Sequence, residues 1–387
     1  MAALSGDSSR IHYLDNLRAL AMMLGVYLHG ALAYAEPSRS IWIATNPTGS
    51  VGIDASISLI HLFRMGLFFL LSGYFAKLMI RRRGLKPFLW NRGIRIALPF
   101  VLFWPLLVVA MTIVIVFAIS YVKEPQGILQ LIVPASQDPE AGNSPPPFTT
   151  MHLWFLYYLL MFNLIAAVCS RWPLLKFDWL FKRAWLLALS PLALVPGAIG
   201  GGIPIAAPES FVPNWWPFAY YGLYFWFGWQ MFGREIVLDR LQPWCWLLVL
   251  ASTLLFVPHY RSLPVLDITL IQKATESRSF TSHLFESVLA SYLAATLTVS
   301  ALLVGQRFLA RSNAWLKFCA DSSYWVYLIH LPIILFLQTL LIPIAFPVLG
   351  KLLVVTLVTW FFCLATYVVF VRYTPIGWML NGRRPFP

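Results

Sequence analysis

Arg18 and His29, in an apolar stretch near the start of the chain, have the types and the spacing for joint chemistry. The stretch at 14–34, LDNLRALAMMLGVYLHGALAY, is long enough to span a bilayer, where ionisable groups are costly and usually functional. On an α-helix their separation places the two side chains about 20° apart around the axis and about 16 Å apart along it. One helix face therefore presents a cation near one membrane surface and an imidazole well inside.

A guanidinium and an imidazole at two depths suit a substrate with a phosphorylated end and a reactive end. Arginine holds phosphate through paired hydrogen bonds, and neutral imidazole, which is abundant at neutral pH, suits general-base catalysis. A small substrate would not need both groups, whereas coenzyme A could leave its nucleotide at the surface and thread its pantetheine arm inward. The thioester would then meet a hydroxyl-bearing acceptor that arrives from the opposite side of the membrane.

Three further apolar runs carry ionisable residues at comparable depth. His61 and Arg64 are neighbours on one face of the second run, because they are three positions apart. A lone intramembrane histidine can be a helix–helix hydrogen bond alone, an alternative that stays open for His330 and is favoured for His152. Arg64 resists that explanation, because an unpaired guanidinium in hydrocarbon costs too much to be kept for packing. Arg64 also lies level with His29, which makes His29 the first candidate for a catalytic group.

The basic residues near the ends of the runs have a simpler explanation as well. Asp15 and Arg18, at i and i+3, could cap and pair at the start of a helix. Arg92 and Arg95 could belong to an inside-facing basic loop, and that explanation is the favoured one for Arg81–Arg83. Position alone therefore leaves the role of these arginines open.

Only 11% of the 387 residues are charged, and 59% are hydrophobic. A soluble domain carries about 25% charged residues, so we predict an all-α integral membrane protein. The formal net charge of +13 falls in short loops between apolar runs, as the positive-inside rule requires, and does not indicate a nucleic-acid partner. The four cysteines are scattered singly, without CxxC or His–Cys spacing, and indicate neither disulfides nor a metal site.

Apolar runs long enough to cross the membrane recur about ten times. The basic link at 81–95, RRRGLKPFLWNRGIR, must face the cytoplasm, which assigns alternate sides to the other links and makes both termini cytoplasmic. We therefore predict one polytopic domain over 1–387, with cytoplasmic tails at 1–13 and 372–387 and a periplasmic loop at 122–150. The predicted spans lie near 14–35, 54–79, 94–121, 151–170, 184–204, 215–233, 242–258, 283–304, 318–344 and 347–371.

Four motifs of the chain resemble the membrane acyltransferase-3 family. They are Arg18-x10-His29 in the first span, FFLLSGYF at 68–75, NRGIRIALP at 91–99 and SSYWVYLIH at 322–330. Within that family, LDNLRALAMMLGVYLH, HLFRMGLFFLLSGYF and HLWFL are similar to the glucan biosynthesis protein C group, and the similarity extends over nearly the whole chain. The four motifs together, in the right order on the right spans, are more specific than any one of them.

The resemblance implies a multi-pass O-acyltransferase of the bacterial inner membrane. It would move an acyl group, expected to be succinyl, from cytoplasmic acyl-CoA to hydroxyls of a periplasmic glucan. Acyl-CoA, and succinyl-CoA in particular, is then a co-substrate, and neither a permanently bound cofactor nor a metal is expected. The expected partners are the glucan acceptor and membrane lipid, and the apolar faces of the spans are compatible with a homo-oligomer.

The resemblance also implies roles for the matching positions. His29 would be the catalytic histidine, acting as general base or as acyl carrier, with Arg18 as its partner in the first span. Arg64 and His61 are further catalytic candidates, whose roles the resemblance does not assign. Donor binding is expected at Arg18, Arg92, Arg95 and Asn91, and substrate binding at His330, His152 and Tyr327.

Two other functions remain open from the sequence. A proton-coupled transporter or flippase could use the buried histidines as a relay, although such relays usually draw on intramembrane Asp or Glu, and the acids here lie mostly at span ends. A non-catalytic subunit of a glucan synthase would leave Arg18 and His29 without a role. Ser72 is not a hydrolase nucleophile, because the GxSxG spacing is absent, and it predicts close helix packing beside Gly73.

Overall fold

The fold is entirely helical over the part of the chain that can be described, as the apolar runs predict. The structure is a computed structural model that describes residues 5–36, 42–130, 132–133, 149–171, 183–264, 279–311 and 313–382. These residues form no β-strand, and their β-pairing is an isolated bridge between Thr149 and Ser210. Most of the predicted periplasmic loop lies outside the described residues.

The long helices of the N-terminal half cover most of the predicted spans, but the first begins at Ser5, within the predicted tail at 1–13, and a short helix occupies part of the predicted link at 81–95. The helices of this half are α1 Ser5–Leu32, α2 Val51–Arg83, α3 Leu85–Arg92, α4 Leu98–Tyr121 and α5 Trp154–Cys169. A π-helical segment, Gly93–Ala97, joins α3 to α4, and a 3-10 turn, Met151–Leu153, precedes α5. Both short segments carry residues that the sequence assigns to the site, and π-bulges inside helices occur often at functional sites.

The C-terminal half contains the remaining long helices and several short ones. They are α6 Ala184–Leu189, α7 Val195–Gly201, α8 Trp216–Met231, α9 Ile236–Leu241, α10 Cys245–Ser262, α11 Phe280–Phe308, α12 Ala314–Leu341, α13 Val348–Thr366 and α14 Pro375–Asn381. A 3-10 segment, Ser190–Leu194, joins α6 to α7, and a π-helical segment, Tyr367–Val371, continues α13.

Among the described residues, seven helical stretches are long and apolar enough to cross a membrane. A shorter apolar stretch covers Leu186–Gly201, and α1 and α8 coincide with the predicted spans near 14–35 and 215–233. The total of about ten spans and the cytoplasmic side of both termini stay predictions. The seven stretches are Val51–Arg83, Leu85–Tyr121, Met151–Cys169, Ile236–Ser262, Phe280–Phe308, Ala314–Leu341 and Val348–Val371.

The first helix occupies a central position in the bundle. Helix α1 packs against α2, α11, α12 and α13, so the face that carries Arg18 and His29 meets protein and not lipid alone. Helix α2 in turn packs along α8, which places a second layer of helices behind the site. Side chains that project between α1 and its neighbours are therefore the ones that can work together.

Helices α2 and α8 approach each other at two glycines. A Cβ atom added at Gly73 would overlap the carbonyl oxygen of Phe225, and one added at Gly228 would overlap the carbonyl oxygen of Leu70. Small residues allow this kind of close backbone contact between membrane helices. The prediction of close packing at Ser72–Gly73 is confirmed, and the contact holds α2 in the position from which it faces α1.

Replacing Gly73 with alanine is expected to destabilise the protein. The added methyl group has to push two backbones apart, and overpacking of this kind costs about 1–3 kcal/mol. The measurement is the thermal unfolding midpoint of the purified protein in detergent. Gly52→Ala, in the first turn of the same helix, is the control, because its Cβ would make an ordinary 3.7 Å contact with Ser50 Oγ. Equal midpoints for both variants would contradict the close approach of α2 and α8.

Candidate active site

Two histidines from helices far apart in sequence are hydrogen-bonded to each other. Nδ1 of His29, in the last turn of α1, lies 2.9 Å from Nε2 of His330 in α12. Nδ1 of His330 lies 3.0 Å from the carbonyl oxygen of Val326 and 2.8 Å from that of Tyr327. His330 is almost fully buried, at 2% exposure. The structure thus brings together two residues that the sequence predicts for the site.

The backbone carbonyls around His330 determine which ring nitrogens carry protons. A carbonyl oxygen only accepts, so Nδ1 of His330 must donate and hold the proton. Nε2 of a neutral His330 is then an acceptor, and Nδ1–H of His29 donates to it. The lone pair of His29 is consequently at Nε2, the nitrogen that points away from this bond. A neutral imidazole fixed in this tautomer is suited to accept a proton from a substrate.

A glutamine and a tryptophan hold the end of α1 around His29. Nε2 of Gln338 donates to the carbonyl oxygens of His29 and Gly30, at 2.9 Å each. These carbonyls are in the last turn of a helix, where no intrahelical donor is available. Nε1 of Trp42 donates to Oε1 of Gln338 at 2.8 Å, and the indole lies nearly parallel to the imidazole of His29 with 6.0 Å between ring centroids. No motif in the sequence predicts these contacts of Trp42.

Arg64 is a buried cation on α2 beside the histidine pair. A Cβ at Gly25 would overlap the Arg64 guanidinium, so the absence of a side chain there lets the arginine reach α1 one turn from His29. Nε of Arg64 is buried without a hydrogen-bond partner in the part of the chain that the structure describes. Arg64 lies close enough to the His29 ring for its charge to act on it. A cation in this setting is available to a ligand anion or to negative charge that develops during a reaction.

His152 joins the cluster through its ring and its backbone. Its ring centroid lies 5.4 Å from that of His330, and the hydroxyl of Tyr327 donates to its carbonyl oxygen at 2.7 Å. Nε2 lies 3.3 Å from the carbonyl oxygen of Leu328, whereas Nδ1 is buried without a partner among the described residues. The preceding residue, Met151, has a φ of 49°, a conformation that non-glycine residues rarely adopt and that concentrates at functional sites.

His61 has a partner in the loop that follows α7. Its Nε2 donates to the carbonyl oxygen of Ile205 at 2.7 Å. The same loop is held by Thr150, whose N–H and hydroxyl both donate to the carbonyl oxygen of Glu209, at 2.7 and 2.8 Å. Burial raises the pKa of the Glu209 carboxyl above its usual value. His61 therefore fixes a loop at the predicted outer end of the bundle.

The predicted donor-binding arginines lie together at the other end of α1. Arg18 pairs with Asp15 at 3.3 Å, the contact that the i, i+3 spacing predicts. Arg92 in α3 lies near Arg95 in the π-helical segment, and the charge of Arg18 acts on both. The guanidinium of Arg92 lies over the ring of Phe88 at 5.1 Å, and its Nε is buried without a partner among the described residues. Three neighbouring guanidinium groups suit a ligand with several phosphates.

Asn91 is half-buried in α3 beside Arg92, and its side chain makes no hydrogen bond to a described residue. The hydroxyl of Tyr324 donates to the carbonyl oxygen of Arg95 at 2.6 Å, which ties α12 to the π-helical segment. The described residues contain no group of three His, Cys, Asp or Glu side chains placed to hold a metal ion. The geometry is therefore a cationic end and an imidazole end on one helix, with about 16 Å between them.

The chain is similar to known acyltransferases and to proteins of glucan biosynthesis. A family model described as an acyltransferase domain matches residues 11–372. Two of the similar curated proteins are the Glucans biosynthesis protein C of Salmonella heidelberg (strain SL476) and that of Salmonella agona (strain SL483). Each is 24% identical over 351 residues, which cover 88% of this chain and 86% of the relative. No solved structure matches the chain.

Proposed function

The chain belongs to the acyltransferase-3 family, and from this premise we propose that it transfers an acyl group from cytoplasmic acyl-CoA to hydroxyls of a periplasmic glucan. The family and the helices directly support a multi-pass membrane acyltransferase. The bacterial inner membrane, the CoA donor, succinyl as the acyl group and the glucan as acceptor belong to the proposal. The choice of a glucan as acceptor is based on the name of the Salmonella relatives.

One observation carries the proposal. It is the chain of hydrogen bonds that runs from the backbone carbonyls of Val326 and Tyr327 through His330 to His29. It holds the proton of His29 at Nδ1 and leaves the Nε2 lone pair for a substrate. In the proposed reaction, Nε2 of His29 takes the proton of an acceptor hydroxyl while that oxygen attacks the thioester carbonyl. The carbon–sulfur bond then breaks, and the departing thiolate takes the proton from Nε2. The new ester and free CoA account for every atom, and His29 returns to its starting state.

The other charged residues of the site have separate proposed roles. Arg64 reaches α1 from α2 beside Gly25, one turn before His29. Its charge stabilises the oxyanion that forms when the hydroxyl oxygen attacks the thioester. Arg18, Arg92 and Arg95 hold the CoA phosphates at the opposite end of α1. His152 offers the lone pair of its buried Nδ1 to the acceptor, and Tyr327 fixes the turn that carries it.

An acyl-histidine route uses the same residues in two stages. Nε2 of His29 would first attack the thioester and release CoA, and the acyl group would then pass to the acceptor hydroxyl. Incubation with the acyl-CoA donor alone, followed by mass analysis of the intact protein, separates the two routes. A mass increase equal to the acyl group, absent in His29→Ala, would favour the acyl-histidine.

The test of the proposal is turnover by the purified protein in lipid nanodiscs. With succinyl-CoA and a glucan acceptor, we expect free CoA and a succinylated glucan in equal amounts. Both products can be measured by mass spectrometry. Translocation of an unmodified glycan with an intact thioester would instead favour a transporter or flippase.

Replacing Arg64 with alanine is expected to change donor preference if its charge binds the distal carboxylate of a succinyl group. Hydrogen bonds to charged groups contribute about 1.5–3 kcal/mol, so the preference for succinyl-CoA over acetyl-CoA should fall by about 10-fold to 100-fold. The measurement is competition between the two donors in one reaction, with Arg64→Lys as the control that keeps the charge. An unchanged preference alongside a slower reaction would restrict Arg64 to the oxyanion.

A further inference from the structure

The last described helix, α14, lies at the arginine end of the bundle. The sequence predicts a cytoplasmic tail at 372–387, and within that range the structure contains α14, Pro375–Asn381. This helix packs against α12 and against both π-helical segments. The family match ends at residue 372, before α14 begins. A segment beyond the family match therefore contacts the segment that carries Arg95.

Three contacts hold α14 in place. Nδ2 of Asn381, its last residue, donates to the carbonyl oxygen of Asp321 in α12 at 2.8 Å. A Cβ atom added at Gly377 would overlap the carbonyl oxygen of Val371, so α14 starts directly against the end of the preceding π-helical segment. Leu380 is buried in the main hydrophobic core. The end of α14 is thus fixed to the bundle and can serve as a support for a neighbouring side chain.

Gly382, immediately after α14, lies against the guanidinium of Arg95. A Cβ atom added at Gly382 would overlap Nη2 of Arg95 and would lie 3.5 Å from Cζ of the same guanidinium. The backbone of Gly382 has a φ of 86° and a ψ of 165°, a conformation that is essentially restricted to glycine. Glycine is therefore required here for two separate reasons, the backbone conformation and the space that the guanidinium occupies.

The charges around Arg95 favour movement of its side chain away from the cluster. Arg83 and Arg18 are close enough for their charges to act on Arg95, and the charge of Arg95 acts on Arg92. Like charges repel one another, and a long arginine side chain has many rotamers into which it can move. The backbone at Gly382 closes one side of the guanidinium and so limits the directions in which it can turn.

We propose that Gly382 positions Arg95 for the phosphates of the acyl-CoA donor, which makes α14 part of the donor site. A side chain that is restricted before the ligand arrives loses less conformational entropy on binding. A guanidinium held in one orientation can also meet a phosphate with two parallel hydrogen bonds. The inference rests on the proposed function, because it adds a positioning residue to the donor site. In this arrangement Arg95 touches the donor, and Gly382 acts only through Arg95.

Gly382→Ala tests the inference. The added methyl group needs the space of the guanidinium, and Arg95 has to move because it contacts Gly382 through the end of a flexible side chain. Affinities for CoA and for adenosine 3′,5′-bisphosphate, which has nucleotide phosphates but no pantetheine arm, should both fall about 10-fold. Titration calorimetry of the protein in nanodiscs measures both. In the transfer assay, the KM for the donor should rise while kcat stays unchanged.

Gly202→Ala is the matched control for backbone strain. Gly202 follows α7 with a φ of 75° and a ψ of 170°, nearly the conformation of Gly382. A Cβ atom there would meet no described atom within 4 Å. Both variants carry similar strain, so their thermal unfolding midpoints should fall by similar amounts. Only Gly382→Ala should weaken the binding of the two ligands.

A double variant separates the effect on Arg95 from any effect on the fold. Arg95→Ala alone should weaken CoA binding about 10-fold to 100-fold. Adding Gly382→Ala to it should cause no further loss, because no guanidinium is left to displace. Asn381→Leu provides a second route that adds no strain at position 382. It removes the hydrogen bond to Asp321 that fixes the end of α14, and it should weaken CoA binding about 3-fold.

Several results would overturn the inference. They are equal CoA affinities for Gly382→Ala and Gly202→Ala, and a further loss from Gly382→Ala in the Arg95→Ala background. A loss for CoA without a loss for the bisphosphate would assign the effect to the pantetheine arm. If Gly382→Ala does not fold, unchanged CoA affinity in Asn381→Leu overturns the inference instead. A wild-type protein that binds neither ligand would reject the CoA donor of the proposed function, a result distinct from a wild type that binds and variants that bind equally well.

Discussion

His29→Ala is expected to slow acyl transfer from acyl-CoA by about 10²–10⁴-fold, the usual contribution of a general base. The variant removes the only atom that the proposed reaction uses to move a proton, Nε2 of His29. CoA affinity should change little, because the arginines that hold the phosphates lie about 16 Å away along α1. The measurement is the initial rate of ester formation on the glucan, together with CoA titration of the same preparation.

The control for this variant is His283→Gln, which changes a histidine on α11 outside the cluster. Nε2 of His283 lies 3.3 Å from the carbonyl oxygen of Ile199, a contact that glutamine can replace. We expect this variant to retain wild-type activity. An His29→Ala protein that keeps more than half of the wild-type rate would mean that another group accepts the hydroxyl proton.

His330→Leu is expected to give the second largest loss, about 10²-fold in kcat with an unchanged KM for the donor. Leucine removes the acceptor that holds the proton of His29 at Nδ1. Without that acceptor, the imidazole can turn or place its proton on Nε2, where the lone pair is needed. His330 is therefore a positioning residue in the proposed mechanism and does not itself touch the donor.

A glutamine at position 330 separates the effect of orienting the His29 ring from the effect of filling the space that His330 occupies. In His330→Gln the side-chain oxygen can accept from Nδ1–H of His29, so part of the lost rate should return. Both variants should bind CoA as the wild type does. Equal rates for the leucine and glutamine variants would mean that the hydrogen bond between the two histidines does not set the activity of His29.

The sequence predicts which site residues share one face of α1 better than it predicts which residues of other helices contact them. Helical periodicity alone places Arg18 and His29 on one face, and it predicts the Asp15–Arg18 pair that the structure contains. The partner of His29 is 301 positions away in sequence. Periodicity within one helix cannot say which helix packs against α1, so the sequence leaves the role of His330 open.

Some polar contacts could not be predicted because they depend on loops. Trp42 reaches His29 through Gln338, and His61 reaches the carbonyl oxygen of Ile205 in the loop after α7. Turn and loop geometry at these places follows from the surrounding helices and not from local spacing. Arg64, in contrast, could be identified from the sequence. Burying a lone guanidinium in an apolar span is so costly that the residue is a functional candidate before any contact is known.

The unpaired hydroxyls of Thr356 and Thr359 on α13 had no signal in the sequence. Threonine and tryptophan are common in membrane helices, and hydroxyls there usually bond to the preceding turn of their own helix. Thr366 does so in the structure, at 2.8 Å from the carbonyl oxygen of Phe362, whereas Thr356 and Thr359 have no partner among the described residues. Only the packed structure separates a threonine bonded to its own helix from one that is not.

The most direct test is a cryo-electron-microscopy structure of the protein with CoA bound. The nucleotide phosphates are expected beside Arg18, Arg92 and Arg95, and the sulfur on the Nε2 side of His29. A sulfur on the Nδ1 side, or a nucleotide bound away from the arginine cluster, would contradict the claim that one helix guides the donor from its phosphates to the imidazole.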